Sequence, residues 1–238
     1  MTKNTPYIYT QVISYCLLLV FPALAMAGVS KHETIACPVG GEKFEITRTL
    51  SCTIIGSKMS LATASTCEFI TRTAQCPTNK LPLYKNFTEK ELVQLEIYLK
   101  TPEFTVVKDK SRFYIAYKIE QFLDGTNKRE EYLILLDGLW FDTATTLKDI
   151  KYMSDFRAIG SIEISKMEGK EQHYYRAMMA YFEAITGNKK QAQRLLENLR
   201  DEIKKDDTFL ERYITSAIAC ASGDTPALCD PNALVPKK

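Results

Sequence analysis

Histidine is almost missing from this chain of 238 residues, which holds only His32 and His173. Neither lies in a nucleophile or metalloprotease motif, so imidazole acid–base catalysis and a histidine-ligated zinc enzyme have no foothold. No Cys-x-x-Cys occurs, which removes the low-pKa thiol pair of a redox enzyme. An excess of one charge sign is lacking too. Lys and Arg number 31 against 29 Asp and Glu, a formal net charge of +2, too weak a field to gather nucleic acid or an anionic membrane. No low-complexity stretch is present, and the apolar run near the start falls short of the roughly 20 residues that span a bilayer.

That run belongs to an export signal. Residues 1–27 carry one charge, Lys3, then the apolar stretch Val12 to Ala25, and they close in Ala25-Met26-Ala27, the small-x-small pattern of a signal peptidase site. Cleavage after Ala27 is expected, which leaves residues 28–238 in the periplasm with no membrane span. Pro22 interrupts the run and Cys16 lacks the small residues that precede a lipid-modified cysteine, so an uncleaved anchor and a lipoprotein are both disfavoured.

Cys37, Cys52, Cys67, Cys76, Cys220 and Cys229 remain. An even count in an exported chain reads as disulfides, because nothing outside the cytoplasm keeps thiols reduced. Cys37-Pro-Val-Gly40 and Cys76-Pro-Thr-Asn79 have the outline of a zinc ribbon, but each lacks the second cysteine that a closed tetrahedral site requires. A disulfide between Cys37 and Cys76 in place of the ion is the preferred reading. Nesting and proximity then select Cys52 with Cys67 and Cys220 with Cys229. A zinc-binding or thiol-redox use of the N-terminal cysteines is the alternative.

Residues 28–87 read as a small subdomain of strands and turns. Phe44–Leu50 and Cys67–Thr73 alternate bulky and charged residues as half-buried strands do, with turns at Gly40-Gly41 and Gly56. Asn86-Phe-Thr88 matches a glycosylation acceptor, but Thr88-Glu-Lys-Glu91 is a capping box, flanked by Phe87 and Leu92 as a hydrophobic staple. A helix over 89–100 follows, and Thr101-Pro102 starts another.

Residues 88–222 read as helical hairpins. Phe113, Ala116, Tyr117 and Leu123 form one face, closed by Asp124-Gly125; Tyr132, Leu135, Leu136, Leu139 and Trp140 form the next. Leu147, Ile150 and Met153 begin a third, with a break near Gly160, running to Met167. Tyr174, Ala177, Met178, Tyr181, Phe182 and Ile185, then Gly187-Asn188, then Ala192, Leu195, Leu196, Leu199 and Ile203 make the clearest pair. Ala180, Gly187, Ala192 and Leu196 fall where a tetratricopeptide repeat wants them, while Leu199 and Lys204 depart from that pattern. Thr208-Phe-Leu-Glu211 reads as a second capping box, and 223–238 as a C-terminal tail tied by a disulfide. The expected fold is α+β, mostly α: a disulfide-tied, degenerate zinc-ribbon-like head followed by stacked, tetratricopeptide-like hairpins.

Taken in order, Cys37-Pro-Val-Gly-Gly-Glu-Lys-Phe-Glu45, Cys76-Pro-Thr-Asn79, Tyr84–Leu92 and Thr101-Pro-Glu-Phe104 resemble a group of uncharacterised exported bacterial proteins. These share a CPxGG head, a CPxN second turn and a tetratricopeptide-like helical remainder. The resemblance implies a fold and a periplasmic setting and carries no catalytic signature. The chain departs from the group at Cys52 and Cys67, and at Lys80, where glycine is typical.

An enzyme needs a constellation that these residues do not supply. His173 reads as a helix-start residue beside Glu171, and Asp201, Asp206 and Asp207 read as helix-end solvation. Tyr174, Tyr175, Tyr181 and Phe182 lie at core spacing. The expectation is a non-catalytic interaction or assembly module with no cofactor and no metal, binding a protein partner. The way such folds are used suggests an accessory to an envelope-spanning machine such as a secretion system, type VI among them.

Overall fold

The computed structural model describes residues 29–67, 73–203 and 207–237. The expected leader and its expected cleavage site after Ala27, Cys16, residues 68–72 of the second alternating stretch, and Lys204, Lys205 and Asp206 lie outside the described residues. The fold is mixed α and β and mostly helical. Three antiparallel two-stranded ribbons precede nine helices among the described residues.

Strands β1 (Val29–Ala36) and β2 (Lys43–Ser51) pair with Ile35 opposite Phe44, Glu33 opposite Ile46 and Lys31 opposite Arg48. The alternation around Phe44–Leu50 is therefore a strand, with Ile46 buried and Phe44 turned toward the core. The two Cys-Pro turns share one hydrogen-bond pattern. Cys37 N–H donates to Glu42 O at 2.8 Å and Gly41 N–H to Cys37 O at 3.1 Å; Cys76 N–H donates to Leu81 O at 2.9 Å and Lys80 N–H to Cys76 O at 3.1 Å. Gly41 and Lys80 occupy matching positions with φ of +70° and +61°. Lysine takes a conformation there that costs glycine nothing, and Gln75 holds it by donating to the Lys80 carbonyl at 2.9 Å.

A second ribbon, β3 (Ile54–Ser57) with β4 (Thr63–Ser65), carries a loop that drives Met59 into the helical core. A third, β5 (Ala74–Gln75) with β6 (Pro82–Leu83), leads into the helices. The capping box forms: Glu91 N–H donates to Thr88 Oγ1 at 3.3 Å and Thr88 N–H to Glu91 Oε2 at 2.7 Å, so α1 (Glu89–Tyr98) begins where its sequence dictates. Phe87 and Leu92 pack beside it against a core. Thr101 caps α2 (Pro102–Val107), with proline in the first turn where its missing N–H is harmless.

The remaining helices are α3 (Arg112–Asp124), α4 (Lys128–Phe141), the short α5 (Thr143–Thr146), α6 (Ile150–Ser165), α7 (Gly169–Ile185), α8 (Lys189–Glu202) and α9 (Thr208–Ser222), with a 3-10 turn over Pro226–Cys229. They form a row in which α3 packs on α4, α4 on α6, α6 on α7, α7 on α8 and α8 on α9. Gly187, at φ +110°, makes the tight reversal between α7 and α8.

Two hydrophobic cores result. The larger is lined by Tyr132, Tyr152, Phe156, Tyr181, Phe182 and Tyr213 and also contains Met59. The smaller joins Cys37, Cys76 and Leu81 to Leu95, Tyr98, Phe104, Ile115 and Ile119. Each core takes residues from both sides of position 87, so the strand-rich head and the helices pack as one body.

The structure corrects three local expectations. Helix α6 runs through Gly160 without a break, and the glycine there serves packing: a Cβ would lie 3.0 Å from the Tyr132 ring. Ile150 points outward, 86% exposed, and Leu147 caps α5 instead of joining the helix that follows. The last helix is capped by Asp207 and not Thr208; the Asp207 carboxylate accepts from Leu210 N–H at 3.1 Å.

Candidate functional site

Helix α7 carries two stripes. The first, Ala177, Met178, Tyr181 and Phe182, is buried in the large core. The second is offset around the helix: Gln172, Arg176, Met179 and Glu183 recur at i, i+4, i+7 and i+11, and so share a face beside the core stripe. That face looks into a trough of about 490 Å³ walled by Arg157, Ser161 and Ile164 from α6 and by Gln191, Leu195 and Leu199 from α8.

The floor of the trough is apolar. Ala180, Ile164 and Leu199 are buried, Met179 is half-buried, and Leu195 stands 44% exposed at the rim. The walls are charged and internally paired. Arg157 donates to Glu183 and, at 2.7 Å, to Thr186 Oγ1. Arg176 grips both carboxylate oxygens of Glu202, at 2.5 and 3.0 Å. That hydrogen bond is the main reason the Glu202 carboxyl stays below its ordinary pKa and the Arg176 guanidinium rises above its own. Gln172 ties the start of α7 to the end of α6 by donating to Ile164 O at 3.1 Å. Fixed walls around an apolar floor suit the apolar face of a peptide or helix. Among the described residues no histidine or cysteine lines the trough.

The six cysteines lie in three bonded pairs. Cys37–Cys76, Cys52–Cys67 and Cys220–Cys229 have Cα separations of 5.7, 5.5 and 5.1 Å, within the range that a disulfide spans. Cys37 and Cys76 are buried where the two turns face one another. Asn79 donates across to Val39 O at 2.8 Å, and Thr78 donates to Glu42 through its N–H at 3.0 Å and its hydroxyl at 2.9 Å. Three disulfides are the mark of a chain that lives in an oxidising compartment, and no helix among the described residues is long and apolar enough to cross a membrane. Compared with family models, curated proteins and solved structures, the chain matches none.

The histidines stay apart. His32 Nδ1 lies 3.1 Å from Thr47 Oγ1 on the β1–β2 ribbon, whereas His173 sits in the first turns of α7. Among the described residues no three His, Cys, Asp or Glu side chains gather as metal ligands would. Asp207 does more than solvate a helix end: besides capping α9 it accepts from Tyr174 Oη at 3.2 Å. A half-buried cluster joins Tyr84 and Lys85 to the buried Glu120. Tyr84 Oη donates to Glu120 at 2.8 Å, and Lys85 Nζ lies 2.9 Å from Glu120 and 2.8 Å from Glu91. Burial first, and then the bond to Glu120, raise the Tyr84 phenol far above its ordinary value. This cluster ties the head to α1 and α3.

The sequence reading placed Leu195 on a core face and did not single out Arg157, Arg176 or Met179. The signal for them was the second stripe of α7, which a search for a single apolar face passes over.

Proposed function

We propose that the chain is a non-catalytic interaction module of the periplasm, released from its leader after Ala27, whose helical row holds a protein partner in the trough between α6, α7 and α8. The observation that carries this reading is the trough itself: an apolar floor of Met179, Ile164 and Leu199 between arginines already engaged with carboxylates. Such a surface gives area to an apolar partner face without leaving an unpaired charge beneath it.

Several features support the rest. The α7–α8 hairpin with Gly187 at its reversal is tetratricopeptide-like, and rows of such hairpins expose grooved flanks used for binding. The two matching Cys-Pro turns have a zinc-ribbon-like outline in which the Cys37–Cys76 disulfide takes the place of the ion. The resemblance to exported bacterial proteins with CPxGG and CPxN turns agrees with a periplasmic setting. The partner is then an envelope component, such as part of a secretion system.

Affinity capture from native envelope with the wild-type chain and with Met179→Glu tests this reading. An envelope protein recovered by the wild type and lost with the variant supports it. Recovery of nothing, together with a hydrolase or thiol-exchange activity, overturns it. The alternative, a zinc-binding or thiol-redox role for the N-terminal cysteines, is decided by a free-thiol count and metal analysis on the purified protein; near-zero thiols and no zinc favour the disulfide-braced module.

A further inference from the structure

Strand β1 is half of an isolated two-stranded ribbon. One edge pairs with β2, and among the described residues nothing pairs with the other. A ribbon of this length is marginal by itself in water, and proteins usually guard an open edge with proline, a bulge, charged side chains or a covering segment; on β1 the charges are Lys31 and Glu33. From Ser30 to Ala36, β1 has no proline and its register with β2 is unbroken.

The order of residues along that edge is self-complementary. Outward from His32, Lys31 mirrors Glu33, Ser30 mirrors Thr34, and Val29 mirrors Ile35. In an antiparallel pair of identical strands centred on His32, Lys31 of each copy lies directly opposite Glu33 of the other, Ser30 opposite Thr34, and Val29 opposite Ile35. Opposite charges and paired apolar or hydroxyl side chains at facing positions are what stabilise an antiparallel ladder. Neighbouring registers fail. A slide of two residues either way sets Lys31 against Lys31 or Glu33 against Glu33. A slide of one sets the Phe44 and Ile46 face of one ribbon beside the threonine-rich face of the other.

We propose that the free edge of β1 is a self-association surface, on which a second copy of this chain docks through its own β1, antiparallel and centred on His32, to complete a four-stranded sheet. Each β1 enters its own body at Cys37, so the two helical rows stand at opposite ends of that sheet. Glu33 also pairs with Arg48 of its own ribbon, so in the dimer it lies between two cations. The surface is distant in sequence from the α6–α7–α8 trough and does not depend on what that trough holds.

Sedimentation of the oxidised chain from residue 28 onward, at up to about 100 µM, tests the proposal. A dimer is expected. Lys31→Glu and Glu33→Lys each replace both facing attractions with repulsions, and each should weaken the dimer by about tenfold or more. An equimolar mixture of the two variants should associate again, because every facing pair is once more opposite in sign. Near-ultraviolet dichroism reports that both variants keep the fold. A wild-type monomer at the highest concentration, a dimer insensitive to either single change, or a mixture that stays dissociated would each overturn the proposal.

Discussion

Tyr213 Oη on the last helix donates to the backbone carbonyl of Met59 at 3.0 Å, a buried bond between residues 154 positions apart. The loop it holds is gripped from two other directions. Trp140 Nε1 donates to Ser60 O at 2.8 Å. The C-terminal tail pairs along it, with Met59 N–H to Ala233 O at 2.7 Å, Ser60 N–H to Pro231 O at 3.1 Å and Val235 N–H to Ser57 O at 2.9 Å. The Cys220–Cys229 disulfide fixes where that tail leaves α9. An early loop, the middle of the helical row and the chain's end thus close on one point.

Removing the Tyr213 hydroxyl should loosen this clamp. Tyr213→Phe is expected to cost about 1 to 2 kcal/mol, the usual effect of stranding a buried carbonyl, and Met59→Ala about 3 kcal/mol through the cavity it leaves. Urea unfolding of each variant measures its cost, and an unchanged midpoint for Tyr213→Phe would show that the bond contributes nothing.

Gly138→Ala should destabilise the protein, although alanine is the better helix former by about 1 kcal/mol. A Cβ at position 138 would fall 1.9 Å from Tyr152 Oη and 2.8 Å from Phe113 Cβ. Tyr152 is held in place by donating to Leu135 O at 2.5 Å, so the neighbour has little room to yield. The expected loss is roughly 3 kcal/mol, read as a lower urea midpoint; an unchanged or raised midpoint would count against this packing.

Tyr132 predicts the opposite sign. Its hydroxyl is buried with no hydrogen-bond partner among the described residues, while its ring stacks on Phe156 at 5.5 Å. Tyr132→Phe keeps the ring and deletes the stranded group. Stability should stay level or rise by about 1 kcal/mol, and a clear loss in the same unfolding assay would show that the hydroxyl is satisfied.

The acid limb of stability should depend on Glu91. Hydrogen bonds from Lys85 first, and then from the Thr88 backbone, hold its carboxyl at about 2 instead of the ordinary 4.5. A folded pKa below the unfolded one stabilises the fold fully above the unfolded value and is lost as pH falls through 4.5 toward 2. Because the side chain keeps some solvent contact, the expected loss over that window is roughly 1 kcal/mol. Unfolding at several pH values should show Glu91→Gln missing this increment, with the two proteins converging at the acid end.

Local chemistry made the helix starts at Thr88 and Thr101-Pro102, the strand around Phe44–Leu50 and the core stripe of α7 legible in the sequence, because each rests on neighbours within a few residues. The cap of α9 was ambiguous at that level: Asp207 and Thr208 are both good capping residues, and the choice fell to the one that also receives the Tyr174 hydroxyl. Gly160 looked like a break, since glycine weakens an isolated helix, yet it is where the Tyr132 ring approaches α6.

By itself, then, the sequence determined paired cysteines and strands giving way to helices, properties of composition and of short-range spacing. Only the tertiary structure decided that Met59 belongs to the helical core, that the tail runs back along the β3–β4 loop, and that α6, α7 and α8 leave a trough between them. Those outcomes depend on which distant surfaces exclude water from one another, and no local spacing encodes that pairing.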